Sequence, residues 1–312
     1  MTISNSLAEQ FPLILKTKSS KEYALLDSGN GRKLERYGKY IINRPEGQAI
    51  WTPELPSYIW QKADAIFTGN TEEEAIGRWH FPKVKLAETW NLSWNKLDFL
   101  GRFTSFRHVG VFPEQAAHWF FLEKLIKNTA KPPKVLNLFA YTGIASLVAA
   151  RAGAEVTHVD ASKKAIGWAK ENQIKAGMEQ AKIRWICDDA LSFCKRELRR
   201  NKNYDIILLD PPAYGRGPKG EVWQLFDHLK EMLILCKNLL SADALSLILT
   251  AYSIRASFLA MHELNYEIFQ DKKGIIESGE LIIETENSRR CLSTSLFSRW
   301  ISNQQTQILA NK

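Results

Sequence analysis

A short loop and three acidic positions have the residue types from which a nucleoside site can be built. The loop runs from Asn137 to Gly143 between an apolar run and a helical pattern, and its glycine permits a tight turn. Asp160 ends the next apolar run, 23 residues after Asn137, where a carboxylate can accept both hydroxyls of a ribose. Asp188 and Asp189 follow the third run, where a carboxylate can accept from an adenine amino group. Because ligands of open α/β sheets bind beyond the carboxyl ends of strands, this spacing predicts a nucleoside site.

The loop lacks the glycines of a dinucleotide site. The positions of the first two glycines in G-x-G-x-x-G hold larger residues, which prevent the backbone from approaching a pyrophosphate closely. The pattern therefore favours a nucleoside without phosphates over a nicotinamide dinucleotide. We also expect Thr142 to cap the helix that begins after the loop. The alternative is an ordinary strand-to-helix turn, with Asp160 serving only as the cap of the following helix.

The segment Asp210-Pro211-Pro212-Ala213-Tyr214 follows a nearly continuous apolar run. The two prolines stiffen the chain and remove two backbone donors, so carbonyl oxygens and the Asp210 carboxylate remain as acceptors. Such acceptors can orient an amino nucleophile for in-line attack, and Tyr214 can stack on a planar acceptor. The alternative is a proline-rich loop with a packed tyrosine.

Taken together, the loop Asn-Leu-Phe-Ala-Tyr-Thr-Gly, Asp160, Asp189 and Asp210-Pro-Pro resemble the motifs of class I S-adenosylmethionine-dependent methyltransferases. Within that class the chain is most similar to the bacterial large-subunit ribosomal RNA base methyltransferases, which carry a Phe-x-Tyr-Thr-Gly loop and an Asp-Pro-Pro-x-aromatic motif. The resemblance spans roughly 106 to 300. It implies S-adenosylmethionine as cofactor and a base of RNA, above all ribosomal RNA, as methyl acceptor.

The resemblance also implies a role for each matching residue. Asp160 would take the ribose hydroxyls, and Asp189, rather than Asp188, would face the adenine amine. A segment before the first strand, Gly110–Gln115, would also reach the cofactor, through Gln115. The methionine end would be lined or shaped by Asn137, Phe139, Ala140, Tyr141, Thr142 and Gly143.

The position of the aromatic residue and the cysteines bear on the acceptor atom. Amino-group methyltransferases usually carry the aromatic directly after the second proline, where this chain has Ala213. Cytosine-C5 enzymes of the ribosomal RNA branch attack the ring with a cysteine that follows the fifth strand or the Asp-Pro motif. The chain has no cysteine at either place, so we expect transfer to nitrogen.

A mobile, basic loop, Gly215–Gly220, follows the proline motif directly. Its cations, Arg216 and Lys219, can contact phosphates, so we interpret the loop as part of the substrate-binding surface. Arg255, which opens a helical pattern after the fifth strand, can face the same site. The alternative is a simple solvated connection.

The pattern after Pro133 alternates strand and helix, which predicts a mainly parallel sheet with helices on both faces. The final two strand-like runs have no helix of comparable length between them, so the last strand should return antiparallel. With the resemblance, this predicts a Rossmann-like, doubly wound α/β fold with a seven-stranded sheet. The predicted strands are Val135–Phe139, Glu155–Asp160, Ile183–Cys187, Tyr204–Asp210, Leu245–Thr250, Glu280–Glu284 and Leu292–Trp300, and the predicted helices are Glu114–Lys127, Ile144–Ala152, Ser162–Ala176, Ala190–Arg200, Trp223–Leu240 and Arg255–Glu263.

The front of the chain is different in character. Short β-like runs, Tyr23–Asp27, Tyr37–Ile42 and Ala49–Trp51, are separated by turn sequences such as Ser28-Gly-Asn-Gly31. We therefore predict a small β-rich domain over residues 1–105, helping to hold the RNA, and a methyltransferase domain over residues 106–312.

Bulk properties exclude several classes of protein. The 312 residues carry a formal net charge of +8, which permits a polyanionic partner without requiring one. Neither the four cysteines nor the six histidines show metal-ligand spacing, so we expect no metal. The start lacks a signal-peptide pattern, and no apolar run reaches membrane-spanning length, so we expect a cytoplasmic protein without a membrane partner. The sequence does not predict an oligomeric state.

Three alternatives to RNA-nitrogen methylation remain open. The first keeps the cofactor but methylates a protein or a small molecule, and the second is a cytosine-C5 RNA methyltransferase. The third is a binding or scaffold protein without turnover, which would predict a damaged loop or proline motif, and both motifs are intact.

Overall fold

The computed structural model describes residues 12–69, 77–252 and 256–304. In chain order its strands are β1 (Leu13–Thr17), β2 (Tyr23–Gly29), β3 (Arg32–Tyr37), β4 (Tyr40–Pro45), β5 (Ala65–Phe67), β6 (Trp79–His80), β7 (Thr89–Trp94), β8 (Leu97–Arg102), β9 (Lys134–Leu138), β10 (Glu155–Asp160), β11 (Ile183–Cys187), β12 (Ile206–Leu209), β13 (Tyr214–Arg216), β14 (Val222–Gln224), β15 (Ser246–Tyr252), β16 (Gly274–Glu284) and β17 (Cys291–Ser302). The helices are α1 (Ser57–Trp60), α2 (Ala116–Lys127), α3 (Ile144–Arg151), α4 (Lys163–Lys175), α5 (Ala190–Arg199), α6 (Leu225–Leu239) and α7 (Phe258–Phe269), and a 3₁₀ turn, Pro113–Gln115, precedes α2.

The central sheet has the strand order β1-β16-β17-β15-β12-β9-β10-β11. Its neighbours pair in parallel except at β17, which runs antiparallel to both β15 and β16. The predicted Rossmann-like fold and the antiparallel last strand are therefore confirmed. The sheet has eight strands rather than seven because β1, from the front of the chain, pairs in parallel with β16.

Alternating side chains of the central strands face two separate cores. Leu136 and Leu138 of β9 pack in a cluster with α5, α6 and α7, whereas Val135 packs with α2 and α3. Successive side chains of a strand point to opposite faces, so one apolar strand supports a helical layer on each side. Parallel pairing places the carboxyl ends of β9, β10, β11 and β12 at one edge of the sheet.

The front of the chain forms a five-stranded sheet, β2-β3-β4-β5-β6, and a hairpin of β7 and β8. Two predicted strands differ here. Tyr37–Ile42 spans a turn, with Gly38 at φ 59°, between β3 and β4, and Ala49–Trp51 forms no strand. The charged strand β3 was missed because its buried residues include Lys33 and Glu35. The boundary at residue 105 remains a proposal, although β1 belongs to the central sheet.

Most predicted elements of the second part agree with the structure within a few residues. One exception is the predicted strand Glu280–Glu284, because β16 begins six residues earlier, at Gly274. Another is the start of the Trp223–Leu240 prediction, because Trp223 lies in β14 and α6 begins at Leu225. The predicted helix from Arg255 lies partly outside the described residues, and α7 is described from Phe258. Within the described ranges, no helix is both long and apolar enough to cross a membrane.

Candidate active site

A cavity of about 360 Å³ opens at the carboxyl edge of the central sheet. It brings together the ends of β10, β11 and β12, so the acids predicted at three strand ends do meet at one place. A smaller cavity of about 80 Å³ adjoins it behind the loop after β9. The predicted site residues that line the larger cavity are Gln115, Phe139, Tyr141, Asp160, Asp188, Asp189, Asp210, Pro211, Pro212 and Arg216, and those that line the smaller one include Asn137, Ala140 and Thr142.

The loop after β9 has an unusual backbone. Phe139 and Tyr141 adopt φ values of 55° and 48°, in the left-handed region that non-glycine residues rarely occupy. Gly143 follows with φ 80°, and a Cβ atom there would lie 2.9 Å from the Cβ of Ala169. Strained residues persist where the surroundings hold them and cluster at ligand sites. The loop is therefore shaped for more than connecting a strand to a helix.

The Asp160 carboxylate holds this loop in place. One oxygen accepts from the backbone N–H of Tyr141 at 2.8 Å, and the other accepts from that of Ser162 at 2.8 Å. Burial raises the pKa of Asp160, and these two backbone donors oppose the shift. Each carboxylate oxygen can accept more than one hydrogen bond, so Asp160 can also receive hydroxyl groups in the cavity.

The two acids after β11 have different partners. Asp189 caps α5 by accepting from the backbone N–H of Ser192 at 2.8 Å. Asp188 accepts from the backbone N–H of Asp189 with one oxygen and pairs with Arg196 through the other. Both residues line the cavity. That Asp189, rather than Asp188, faces an adenine amine stays a prediction.

A buried chain of hydrogen bonds orients Asn137. Its side-chain N–H donates to Ser146 Oγ at 2.9 Å, and Ser146 Oγ lies 3.0 Å from His158 Nδ1. Burial lowers the pKa of His158 to about 3, so the imidazole is neutral at physiological pH. The amide plane of Asn137 is thus fixed at the wall of the smaller cavity.

The predicted cap at Thr142 is wrong. Gly143 occupies the N-cap position of α3 without a side-chain hydrogen bond. The Thr142 hydroxyl instead donates to the carbonyl of Gly110 at 2.6 Å, which ties the loop to the segment before α2. The left-handed glycine turns the chain into the helix before a threonine cap can form.

Gln115 and Asp210 come together from distant parts of the chain. The Gln115 side-chain N–H donates to an Asp210 carboxylate oxygen at 3.0 Å. The 3₁₀ turn at Pro113 delivers Gln115, and β12 delivers Asp210. This hydrogen bond fixes the rotamer of the Asp210 carboxylate at the cavity wall, so the carboxylate is held ready as an acceptor.

The carbonyl of Pro212, one of the acceptors in the proline motif, receives a hydrogen bond from within the chain. Trp223 Nε1 donates to it at 2.8 Å, and the Trp223 ring packs against Phe139 with centroids 4.8 Å apart. Sequence reasoning missed Trp223 because it assigned this residue to a helix. The indole instead joins the proline motif to the loop after β9.

The segment after the proline motif is a hairpin of β13 and β14. Arg216 on this hairpin lines the cavity, whereas Tyr214 and Lys219 do not line it. The roles of Tyr214 and Lys219 therefore stay predictions. Arg255, the last predicted substrate contact, lies outside the described residues.

The wall opposite the acids is aromatic and was not predicted. Phe106, His108, Phe112 and Tyr252 line the cavity, and the His108 ring lies 4.9 Å from that of Phe112 and 5.6 Å from that of Tyr252. Burial, with help from nearby Arg44, Arg107 and Lys33, holds the pKa of His108 well below its usual value, so this wall is uncharged there. Single aromatic residues in loops give no periodic pattern in the sequence. The sequence therefore indicated this site through the loop Asn137–Gly143, the acids and the proline motif, and not through its aromatic wall.

Among the described residues, no group of three or more His, Cys, Asp or Glu side chains is placed to hold a metal ion. The acids of the cavity are held by backbone and side-chain donors instead.

Comparison with known proteins identifies two kinds of relative. A solved structure, the SAM-dependent methyltransferase from Agrobacterium tumefaciens, is 60% identical, covers 94% of this chain and 95% of its own, and superposes with a TM-score of 0.91. A second structure, SMU.776 complexed with SAH, is 18% identical, covers 90% of this chain and 76% of its own, and has a TM-score of 0.69, which is a likeness of fold.

Sequence families match a narrower region. The family model described as conserved hypothetical protein 95 matches residues 121–243. The ribosomal RNA large subunit methyltransferase K/L of Syntrophotalea carbinolica is 30% identical over 173 residues, which are 54% of this chain and 23% of that protein. The chain spans only 14% to 27% of the length of the curated relatives it matches.

Proposed function

The chain belongs to the S-adenosylmethionine-dependent methyltransferases, so S-adenosylmethionine is its methyl donor, and we propose that it methylates a nitrogen of a base in RNA. Large-subunit ribosomal RNA is the proposed substrate. The observation that carries the proposal is the pairing of Gln115 with Asp210 where the two cavities adjoin, in a cavity that also has an aromatic wall. An RNA substrate would also place the enzyme in the cytoplasm.

The cavity suits the donor in size and polarity. Its volume, about 360 Å³, is in the range of small-ligand sites, and four aspartates from the ends of β10, β11 and β12 line it. Asp160 is proposed to hold the ribose hydroxyls, and Asp189, with Asp188 beside it, to face the adenine amine. Asn137 and Gln115 would reach the methionine end. Because the loop after β9 lacks the glycines of a phosphate-binding loop, a nucleoside without phosphates fits this cavity best.

When bound, S-adenosylmethionine supplies an electrophilic methyl group on a positively charged sulfur. The chain must then hold the acceptor nitrogen in line with that methyl group and take up the proton that the nitrogen loses when its new bond to carbon forms. The Asp210 carboxylate, fixed by Gln115, is proposed to accept the nitrogen's N–H as a hydrogen bond and then to take this proton. The buried Pro211 keeps the chain after Asp210 rigid, so the acceptor geometry is set before substrate binds.

The aromatic wall supports a planar acceptor. Phe106 is half exposed at the cavity and can stack on a base, while His108, Phe112 and Tyr252 form a packed backing. Base-aromatic stacking tolerates any base and gives roughly 1–3 kcal/mol for each one. A flexible aliphatic side chain, as in a protein acceptor such as lysine, would gain less from this surface.

The positions of the cysteines support nitrogen over cytosine C5. Cys194 and Cys236 are buried in α5 and α6, and Cys291 begins β17. Cys187 is exposed at the end of β11, beside the carbonyl of Ala161 and thus near the acids of the proposed adenine end. None of the cysteines, all of which lie in described segments, lines the cavity, so the thiol addition of C5 chemistry has no evident nucleophile.

The RNA part of the proposal also rests on the names of relatives. Curated relatives of this chain, those of Shewanella frigidimarina and Syntrophotalea carbinolica among them, are named ribosomal RNA large subunit methyltransferases. The matched stretches are only 15% and 23% of those proteins, so the substrate is a proposal for this protein. A net charge of +8 is compatible with it.

Calorimetry with S-adenosylmethionine tests the cofactor site. We expect binding in the micromolar range and its loss in Asp160→Ala, because that change removes the hydroxyl acceptor and releases the backbone of Tyr141. Glu267→Ala, at an exposed ion pair on α7, is the matched control and should bind normally. If Asp160→Ala binds as tightly as the unaltered protein, the assignment of Asp160 is wrong.

Incubation with labelled S-adenosylmethionine, total RNA and cell protein tests the acceptor. We expect label in RNA, and nucleoside mass spectrometry of RNA from a deletion strain should show the loss of one N-methylated base. Label in protein alone would contradict an RNA acceptor. Loss of 5-methylcytosine alone would contradict transfer to nitrogen.

A further inference from the structure

We propose that a second groove, separate from the catalytic cavity, binds the single-stranded RNA that flanks the methylated base. This lysine groove, of about 680 Å³, lies between the end of β1, the β7–β8 hairpin and the start of α2. The proposal rests on the proposed RNA substrate and assigns it a binding surface. The residues that carry it are Lys16, Lys18, Lys21, Trp94, Lys96 and Phe120.

The charge of the lysine groove suits a polyanion. All four of its lysines are exposed, and Glu22 is the only acid among the described residues that line it. Lys16 lies 3.3 Å from Glu284, but both side chains are solvent-exposed, and such a pair contributes little. The lysines are therefore available to phosphate oxygens, which they would meet as compact point charges.

Two aromatic side chains provide a surface for bases. The Phe120 side chain is 57% exposed, and its ring meets that of Trp94 edge-on with centroids 4.8 Å apart. Trp94 in turn packs edge-on against the buried Trp119, so the outer aromatic is supported from below. Lysines beside a supported, exposed ring are the usual elements of a single-strand binding surface.

The lysine groove and the catalytic cavity lie on either side of one short segment. Val111 and Pro113 line the groove, whereas Phe112, Glu114 and Gln115 line the cavity. The Thr17 hydroxyl donates to the carbonyl of Glu114 at 3.3 Å, which attaches the groove wall to this segment.

The direction of β1 brings the groove to the correct edge of the sheet. β1 runs parallel to β16, and β16 runs in the same direction as β15 and β12 because both β15 and β16 oppose β17. Lys18 and Lys21 follow the end of β1, so they lie at the same carboxyl edge as Asp210. A strand that crosses the segment 111–115 therefore passes from the lysines to the acceptor site.

A triple lysine variant tests this surface against a matched control. Lys18→Ala, Lys21→Ala and Lys96→Ala remove three exposed groove charges. Lys131→Ala, Lys134→Ala and Lys202→Ala remove three exposed charges at the amino ends of β9 and β12, on the opposite edge. The probe is a fluorescein-labelled, mixed-sequence RNA dodecamer, and binding is measured by anisotropy over a range of salt concentrations.

We expect the groove variant to weaken binding by about tenfold or more and to reduce the slope of log K against log salt by about 2, which is three lost phosphate contacts at roughly 0.7 each. The control variant should keep the slope of the unaltered protein. Both variants should bind S-adenosylmethionine normally, which shows that they fold. Methylation at saturating RNA should remain while the KM for RNA rises.

The outcomes separate the groove from the proposed function. If the unaltered protein methylates RNA and the two triple variants bind the dodecamer alike, the groove proposal is overturned and the function stands. If the unaltered protein neither binds nor methylates RNA, both are overturned. A groove variant that loses binding to an acidic peptide but not to RNA assigns the groove to a protein partner and also overturns the proposal.

The aromatic part has its own control. Phe120→Ala should weaken dodecamer binding by roughly tenfold without changing the salt slope, because stacking carries no counterion release. Tyr266→Ala removes an aromatic of similar exposure on α7, on the other face of the sheet, and should have no effect. Equal binding by these two variants would remove stacking from the proposal.

Discussion

The interiors of the two parts of the molecule are stabilised by different kinds of interaction. Under α5, α6 and α7 the interior is apolar, with Met232, Leu233 and Leu247 fully buried. Under the N-terminal sheet the interior contains ion pairs: Lys33 with Glu46 at 2.9 Å and Arg44 with Glu35 at 2.5 Å, with every side chain at 4% exposure or less. Apolar packing tolerates exchange among similar side chains, whereas a buried charge requires its partner.

The Glu35 carboxylate is the centre of the buried charges. Besides Arg44, it accepts from the hydroxyls of Tyr23 and Tyr37 at 2.8 and 3.1 Å. Arg44 and Lys33 outweigh the effect of burial and lower the pKa of Glu35 to about 2. The carboxylate is therefore stable as a buried charge in the native state. Removal of one partner leaves the remaining buried groups without a hydrogen-bond or ion-pair partner.

The largest expected effect comes from breaking this centre. Glu35→Ala should lower the free energy of unfolding by about 3–5 kcal/mol, because Arg44 and two hydroxyls lose a buried acceptor. Chemical denaturation followed by tryptophan fluorescence measures the change.

Two further variants separate charge from volume. The double change Glu35→Met and Arg44→Met should recover much of the stability, since it removes both charges and keeps apolar bulk. Glu267→Ala, which breaks an exposed pair with Lys230, should change stability by less than about 1 kcal/mol. A Glu35→Ala variant as stable as Glu267→Ala would contradict the contrast between the two parts.

The same contrast explains what could be predicted from the sequence. The strands β9, β10 and β12 are short, largely apolar runs separated by helical patterns, and this alternation marks them directly in the sequence. In β3, Lys33, Leu34 and Glu35 are all buried, so charged residues occupy positions that a pattern of polarity assigns to solvent. Their burial depends on partners in β4 and beyond it, and a single strand carries no sign of that.

A smaller effect should distinguish a second buried acid, Glu114, from Glu35. Burial raises the pKa of Glu114 to about 7, against the influence of Lys33 and Arg44 and with that of Glu35. The unfolded chain ionises near the ordinary value, so between about pH 4.5 and 7 the native state holds an extra proton. Glu114 thus contributes most to stability at low pH, and this contribution is lost as pH rises through 7.

Glu114→Gln removes that dependence. The free energy of unfolding of the variant, minus that of the unaltered protein, should rise by about 2 kcal/mol between pH 5 and pH 8. Denaturation curves at several pH values measure the difference, and Glu35 cancels because both proteins contain it. A difference that stays constant with pH would show that Glu114 ionises normally in the native state.

The active site was predictable where chemistry imposes a residue type at a strand end. Asp160 and Asp210 follow apolar runs, and their positions at one edge follow from parallel pairing. Trp223, His108 and Ser146 contribute through contacts made by the tertiary fold, at spacings that no local pattern encodes. The corrected role of Thr142 belongs to the second kind, because its partner Gly110 lies 32 residues earlier in the chain.

The smallest expected effect tests how the cofactor loop is attached to the segment before α2. Thr142→Val keeps the shape of the side chain but removes its donor, leaving the buried Gly110 carbonyl without this 2.6 Å hydrogen bond. We expect a loss of about 1–2 kcal/mol in the free energy of unfolding. Calorimetry should show that the affinity for S-adenosylmethionine falls by roughly threefold, because a more mobile loop must become ordered when the cofactor binds. Thr142→Ser retains the hydroxyl and should restore affinity more fully than stability, since it lacks the buried methyl group. If Thr142→Val binds the cofactor as tightly as Thr142→Ser does, the bond to Gly110 only stabilises the fold, and the loop keeps its binding geometry through Asp160 alone.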